Sequence, residues 1–289
     1  MEAFFYVDKP TGQTSFQVLR DMRRILWVKK IGHTGTLDPL ATWGLLVATW
    51  NYTKLISYVE KDLKSYRAEI MLNGTSPSYD SDSEVTYLPE TQLEDLKNNL
   101  TLEAIQGVID TYFTGEITQI PPKYSALKID GKRALDRTLA WEEVIMKERK
   151  AIILSSKIIS FEYPKLIAEF TVTAGTYIRS IAFDLWEKLW AGWYLCKLRR
   201  TWVGKLTEDM LQNLDDISEE NFLWVQQIFP GKIFHFDDEI VLRRLSDGQR
   251  VWWKYNFPEN ENIFLSDGDM IRYVVEYKDS VLHPRKKIV

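Results

Sequence analysis

The chain has 289 residues, 45% apolar and 27% charged, which is the balance of a soluble globular protein long enough for one large domain or two ordinary ones. No apolar run approaches the roughly 18 residues a spanning helix needs, and Met1 to Phe5 carry an early acid and no basic leader, so neither a membrane span nor a secretory signal is expected. One cysteine, Cys196, and three scattered histidines, His33, His235 and His283, exclude an internal disulfide and argue against a Cys- or His-built metal centre.

Residues 4–8 read as a short apolar strand, ended by a turn at Pro10 and Gly12. Ser15 is a candidate N-cap for a helix with Val18, Leu19, Met22, Ile25 and Leu26 on one face, stopping near Trp27. Residues 31–42 form a Gly/Thr-rich loop that closes on Pro39. Tyr66 to Leu72 alternates like a strand, residues 73–83 are turn-rich, and residues 94–109 read as one helix. Residues 151–161 and 167–173 read as strands. Gly175 precedes a helix with Ile178, Ile181, Ala182, Leu185 and Leu189 on one face. Beyond residue 230 the pattern changes to short β segments at 239–244, 262–265 and 270–277, with turns at Gly248 and Gly268. Strands and helices do not alternate regularly, so an α+β fold with a mixed sheet is expected rather than a parallel βαβ one.

The net charge of −4, from 37 basic and 41 acidic residues, argues weakly against a nucleic-acid partner, but totals hide patches. Residues 1–66 hold nine bases and six acids, a local excess of +3, and Lys197, Arg199, Arg200 and Lys205 form a second basic group. Acids gather at 80–95 and 208–220, where solvated faces are the plain reading.

Four features could carry chemistry. Gly32-His33-Thr34-Gly35-Thr36-Leu37-Asp38-Pro39 surrounds one carboxylate with small and polar residues, and Pro39 biases Asp38 away from helix. On residues alone it is either a polar turn or a catalytic loop. Arg179 falls in the first turn of a helix, where the dipole disfavours a buried cation; it is either a surface residue or paired with an acid, Asp38 being a candidate. Tyr66 at a strand start is either core or a stacking platform for a base. Residues 119–128 make a stiff Pro-Pro loop, either scaffold or phosphate contact.

Taken in order, these stretches resemble the TruB family, the tRNA pseudouridine-55 synthases. Gly32 to Thr42 is similar to the family's signature loop. Asp8-Lys9-Pro10 with Gly12 and Ser15, Lys64 with Tyr66, Pro121 to Lys128 with Gly131-Lys132-Arg133, Gly175 to Ser180 and Leu198 to Thr201 resemble further family blocks. Leu72 to Val85 resembles the family segment that ends Gly-Glu-Val, with Asn73, Ser76, Ser78 and Ser83 in place of its Gly, Thr, Thr and Gly. Collinear blocks cover residues 4–206, or 203 of 289 residues.

The resemblance implies a pseudouridine synthase fold, a mixed and largely antiparallel sheet with flanking helices, over residues 1–225. It also implies, more weakly, a small PUA-like RNA-binding β domain over residues 230–289. It implies isomerisation of uridine 55 in the T arm of tRNA, on a base flipped out of its stack. Asp38 would be the catalytic carboxylate, kept ionised by Arg179. Tyr66 would stack on the base, Tyr177 and Leu198 would line the pocket, and His33 would hold the RNA loop open. Lys9, Lys123, Arg199 and Arg200 would contact phosphates. No cofactor, metal, membrane or obligate protein partner is expected, and the chain is expected to be a cytoplasmic monomer. A guide-RNA-dependent synthase subunit and a non-catalytic tRNA-binding or folding protein are the alternatives; a glycoside hydrolase would need a second catalytic carboxylate.

One count is unusual: 11 Trp against 14 Gly, so Gly is 4.8% of the chain where about 7% is ordinary. The resemblance places glycine at Trp43, Trp50, Trp141, Trp186 and Trp190, and Trp27 and Trp190 fall just past the last apolar position of a helix, where glycine is favoured. Six glycines there would make 20 of 289, or 6.9%. These are therefore expected to be glycine sites.

Overall fold

The computed structural model describes residues 1–60, 62–189, 192–236, 238–254, 257–268 and 270–289. The elements run β1 (Phe4–Lys9), α1 (Ser15–Ile25), β2 (Ile31–His33), β3 (Ala41–Thr49), β4 (Leu63–Met71), the short ladder β5 (Gly74–Thr75) and β6 (Thr86–Tyr87), then α2 (Glu90–Asn99) and α3 (Leu102–Tyr112). β7 (Gly115–Gln119), the hairpin β8 (Lys128–Ile129) and β9 (Lys132–Arg133), α4 (Ala134–Leu139), β10 (Arg149–Glu162), β11 (Lys165–Thr173), α5 (Ile178–Leu189) and β12 (Tyr194–Val203) follow. β13 (Gln212–Asn213), α6 (Val225–Ile228), β14 (Ile233–His235), α7 (Glu239–Ser246), β15 (Val251–Trp252), β16 (Asn262–Asp267), β17 (Met270–Lys278) and β18 (Val281–Lys287) complete the chain.

A nine-stranded sheet has the order β13-β1-β3-β12-β4-β11-β10-β7, with β2 also paired to β3. Its ladders are antiparallel except at β1–β13 and β3–β12. The β3–β12 contact is short, Leu198 opposite Ala41 and Arg199 opposite Thr42. It places the end of the 31–42 loop at the middle of the sheet. Helices α3 and α5 cover one face, burying Ile105, Ile109, Ile181, Ala182 and Leu185 against Ala68, Ile70, Ala168 and Phe170. A separate five-stranded sheet, β14-β16-β17-β18-β15, forms the C-terminal unit. Phe264, Ile271 and Val274 of that sheet join Phe4, Tyr52, Leu55 and Phe229 in one apolar cluster.

The structure differs from the sequence expectation at four points. The N-cap of α1 is Thr14, in a capping box with Gln17, while Ser15 turns its hydroxyl to the 31–42 loop. That loop holds β2 and the first residues of β3. Residues 94–109 are two helices, because Thr101 caps the Ala104 N–H and starts a second one. Residues 239–244 are helical, not β: Asp238 accepts from the Val241 N–H at 3.1 Å, and Val241 and Leu245 bury one side of α7. The apolar run Ile240-Val241-Leu242 concealed a cap that lay just before it.

Candidate active site

Asp38 ends the loop between β2 and β3, and the segment 9–15 pins that loop. The Gly12 N–H and the Lys9 ammonium both donate to the Pro39 carbonyl, at 2.8 and 3.0 Å. The Thr11 hydroxyl donates to the Leu40 carbonyl at 3.1 Å, and the Leu37 N–H donates to the Ser15 hydroxyl at 3.0 Å. Gly35 takes φ 71°, a left-handed turn that lets the chain reverse before Asp38. With both neighbours tied to backbone, the carboxylate keeps one direction of approach.

Arg179 meets it from the first turn of α5. Its Nη2 lies 2.8 Å from Asp38 Oδ1, and the guanidinium is almost wholly buried. The pairing that the helix position demanded is present, and it is double. Arg179 Nη1 lies 3.3 Å from Asp80 Oδ2 and donates to the Ser78 carbonyl at 3.1 Å. Asp80 is itself buried and accepts from the Ser78 hydroxyl and the Asp82 N–H. Burial pushes the Asp80 carboxyl above its ordinary value, with Arg179 opposing.

Thr36, Leu37, Asp38, Ala41, Lys64, Tyr66, Ala126, Leu127, Leu198 and residues 175–178 line a cleft of about 300 Å³. Tyr66 on β4 is buried, and burial raises its hydroxyl pKa while nearby Arg200 opposes the shift. Asp38 thus lies just before β3, while Leu198 and Tyr66 lie on β12 and β4, the next two strands in the sheet order. Tyr177 is held by the last residue of β7: its N–H donates to Gln119 Oε1 at 3.1 Å, and Gln119 Nε2 donates back to the Tyr177 carbonyl at 3.2 Å. The Ser180 hydroxyl donates to the Ile120 carbonyl at 2.8 Å, so the Pro-Pro loop is stitched to the start of α5. The left-handed φ of 89° at Gly175 turns the chain from β11 into this helix.

The other expected site residues divide. His33 is half-buried at the end of β2 and is not among the residues lining the cleft; burial lowers its imidazole pKa. Lys123 is exposed. Lys9 is not free to contact phosphate: it is wholly buried, and its three ammonium hydrogens meet the carbonyls of Pro10, Gln13 and Pro39. Arg200 is buried too, with Nη2 donating to the Gly44 carbonyl at 2.6 Å. Arg199 is engaged by Asp8 and Glu208. In each case a nearby acid or carbonyl claims the cation. Asp80 carried no expected site role, and Gln119 only one as part of the Pro-Pro loop. Asp80 lay in an acidic run that reads as a solvated face, and the serines where the segment departs from the family pattern are its neighbours. Among the described residues no group of acids, histidines and cysteines could hold a metal, and no helix is long and apolar enough to cross a membrane.

The sequence model of the TruB family pseudouridylate synthase N-terminal domain matches residues 23–178. The chain belongs to the TruB family. Its relatives include a Clostridium tetani protein named tRNA pseudouridine synthase B, 37% identical over 255 residues that cover 87% of this chain and 86% of the relative. A Bacteroides fragilis protein of the same name is 39% identical over 205 residues, 69% of this chain and 85% of the relative. The crystal structure of a Cbf5-Nop10-Gar1 complex contains a chain of the same fold, with TM-score 0.66 and 21% identity, covering 99% of this chain and 85% of the other. The TruB architecture expected from the sequence, a mixed sheet with flanking helices and a small C-terminal β unit, is the one observed.

Proposed function

We propose that this chain is a tRNA pseudouridine synthase that acts alone on uridine 55 of the T arm, with Asp38 as the catalytic carboxylate. The observation that carries the reading is the Asp38–Arg179 contact, with Asp38 lining a cleft beside Tyr66, Tyr177 and Leu198. The cleft's aromatic edge suits a base taken out of its stack. Relatives named tRNA pseudouridine synthase B favour tRNA as the RNA.

The reaction breaks the N1–C1′ bond of uridine, turns the base, and forms a C5–C1′ bond. The C5 proton is lost and N1 gains one, so atoms and charge balance without any added reactant. Asp38 enters either as a nucleophile at C1′ or as a base on the sugar, and both routes discharge it. Arg179 pairs with the carboxylate and fixes the direction it faces until then. Tyr66, buried on β4 at the edge of the cleft, offers a ring face to the base. Residues 1–225 would supply this chemistry and residues 230–289 would add RNA-binding surface.

The test is to incubate the purified chain with unmodified tRNA transcript and map pseudouridine, with and without chelator. Modification at position 55 in both arms is expected. No product from a folded sample, or product only when guide RNA or protein partners are added, would move the chain to the guide-dependent class. Asp38→Asn should lose turnover by roughly three orders of magnitude or more while tRNA binding, spread over many phosphate contacts, stays within about twofold. A substantial residual rate would place the carboxylate elsewhere.

A further inference from the structure

Left-handed backbone is a glycine conformation, visited by Asn and Asp and strained for bulky residues. Among the described residues, nine non-glycine positions have positive φ: Trp27, Trp43, Trp50, Trp141, Tyr79, Asp130, Asn260, Asp279 and Ser280. Three are Asp or Asn, as expected. Four are Trp, out of 11 in the chain, whereas the 14 tyrosines and 13 phenylalanines contribute one. Aromatic bulk does not explain that contrast.

Each site has its own reason to be small. Trp27 is the residue after the C-cap of α1, with φ 50°, and its ring is 90% exposed. Trp141 repeats the arrangement after α4, with φ 59° and 96% exposure. This is the helix-ending position where glycine is favoured because it lacks a Cβ, and neither indole gains burial in return. Trp50 has φ 47° at the junction of β3 and the following turn. Trp43 is the most strained, with φ 107° in β3 five residues after Asp38. That value lies outside the left-handed helical well near +57°, in a region that is essentially glycine's.

The surroundings of Trp43 agree. Its ring is fully buried, edge-on to Tyr6 at 5.3 Å and under the Arg200 guanidinium at 5.5 Å. Trp43 Nε1, the Tyr6 hydroxyl and Arg200 Nε are all buried without a hydrogen-bond partner. Buried polar atoms are normally satisfied, and three orphans around one ring mark a misfit. Tyr6 is also pressed onto Gly44, where a Cβ would stand 2.1 Å from its ring.

We infer that positions 27, 43, 50 and 141 are glycine in the protein its source cell makes, a codon rendered as tryptophan being decoded there as glycine. The inference does not extend to the other two sites singled out by composition. Trp186 lies inside α5, where glycine would weaken a helix, and Trp190 lies outside the described residues. It is independent of the proposed reaction, since its readouts are mass and melting temperature.

Peptide mass spectrometry of the protein purified from its source cell tests it directly. Glycine masses at all four positions are expected, and tryptophan masses there overturn the inference. A recombinant comparison gives a second sign. The chain with Trp27→Gly, Trp43→Gly, Trp50→Gly and Trp141→Gly should melt roughly 5 °C or more above the chain with tryptophan, since relief of about 1 kcal/mol moves Tm by about 2–4 °C in a domain of this size. Trp224→Gly, where φ is an ordinary −68°, should not raise Tm. If the four-site variant melts lower, its tryptophans are packed core residues and the inference fails.

Discussion

Lys9 looks, in the sequence, like a cation offered to RNA, and in the structure it is a pin inside the protein. Side-chain type was legible; direction was not, because three carbonyls from separate stretches converge on it only after folding. Burial lowers the ammonium from an ordinary 10.5 to about 8. Between those values the unfolded chain binds more protons than the folded one, so this group's contribution to stability rises with pH across the window. The Tm advantage of the parent over Lys9→Met should therefore be flat below pH 8 and widen above it in thermal melts; a gap that narrows would contradict the assignment. Asp80 was hidden in a different way. Nothing in Ser78-Tyr79-Asp80-Ser81-Asp82 separates a buried carboxylate from a solvated one, and only the approach of α5 does so. Asp80→Asn removes one anchor of a buried cation and should cost on the order of 3 kcal/mol of stability. It should lower kcat more than it raises KM, since Arg179 loses its aim at Asp38.

Among the elements, α1, β4, β11 and α5 were legible because their apolar spacing is regular and one face is buried. Helix α7 was not, because a run of three apolar residues has no period. Helix α5 carries the site at its first turn and a strained carboxyl further along. Asp184 is raised from 3.8 to about 7 by burial and, secondarily, by Glu187. Between those values the folded chain keeps a proton that the unfolded chain releases, so stability from this group is present at low pH and lost as pH rises through 7. Asp184→Asn should be more stable than the parent above pH 7, by about 1–2 kcal/mol, and equal to it near pH 4 in urea melts. The Gln119–Tyr177 amide pair gives the Pro-Pro loop a fixed height over the cleft. Gln119→Ala should loosen it and raise KM for tRNA with a smaller effect on Tm.

At the scale of the whole molecule, the sequence suggested two units, and the structure gives them a common seam. Phe4, Tyr52 and Phe229 pack against Phe264 and Val274, so the two sheets share one apolar cluster. Calorimetry should show a single unfolding transition, and removing residues 230–289 should expose that cluster and cause aggregation. Charge also rearranges at this scale. Lys54 is flanked by Lys30, Lys286 and Lys287, and burial together with their repulsion lowers its pKa. Chain ends that are unremarkable separately thus make one basic group, which no net charge of −4 announces. Replacing Lys30 and Lys286 by Ala should weaken tRNA binding across sequences and reduce the salt slope by about one per residue.

The guanidinium between Asp38 and Asp80 makes an anion–cation–anion row with one surplus negative charge. On the proposed reading, chemistry at the sugar would consume the charge on Asp38 and leave a neutral Arg179–Asp80 couple. Arg179 would then not be left as an unbalanced cation while the base is detached. A detached uracil carrying negative charge meets a cation whose own partner is already in place. It has no reason to pull Arg179 off the floor, and the base is free to turn.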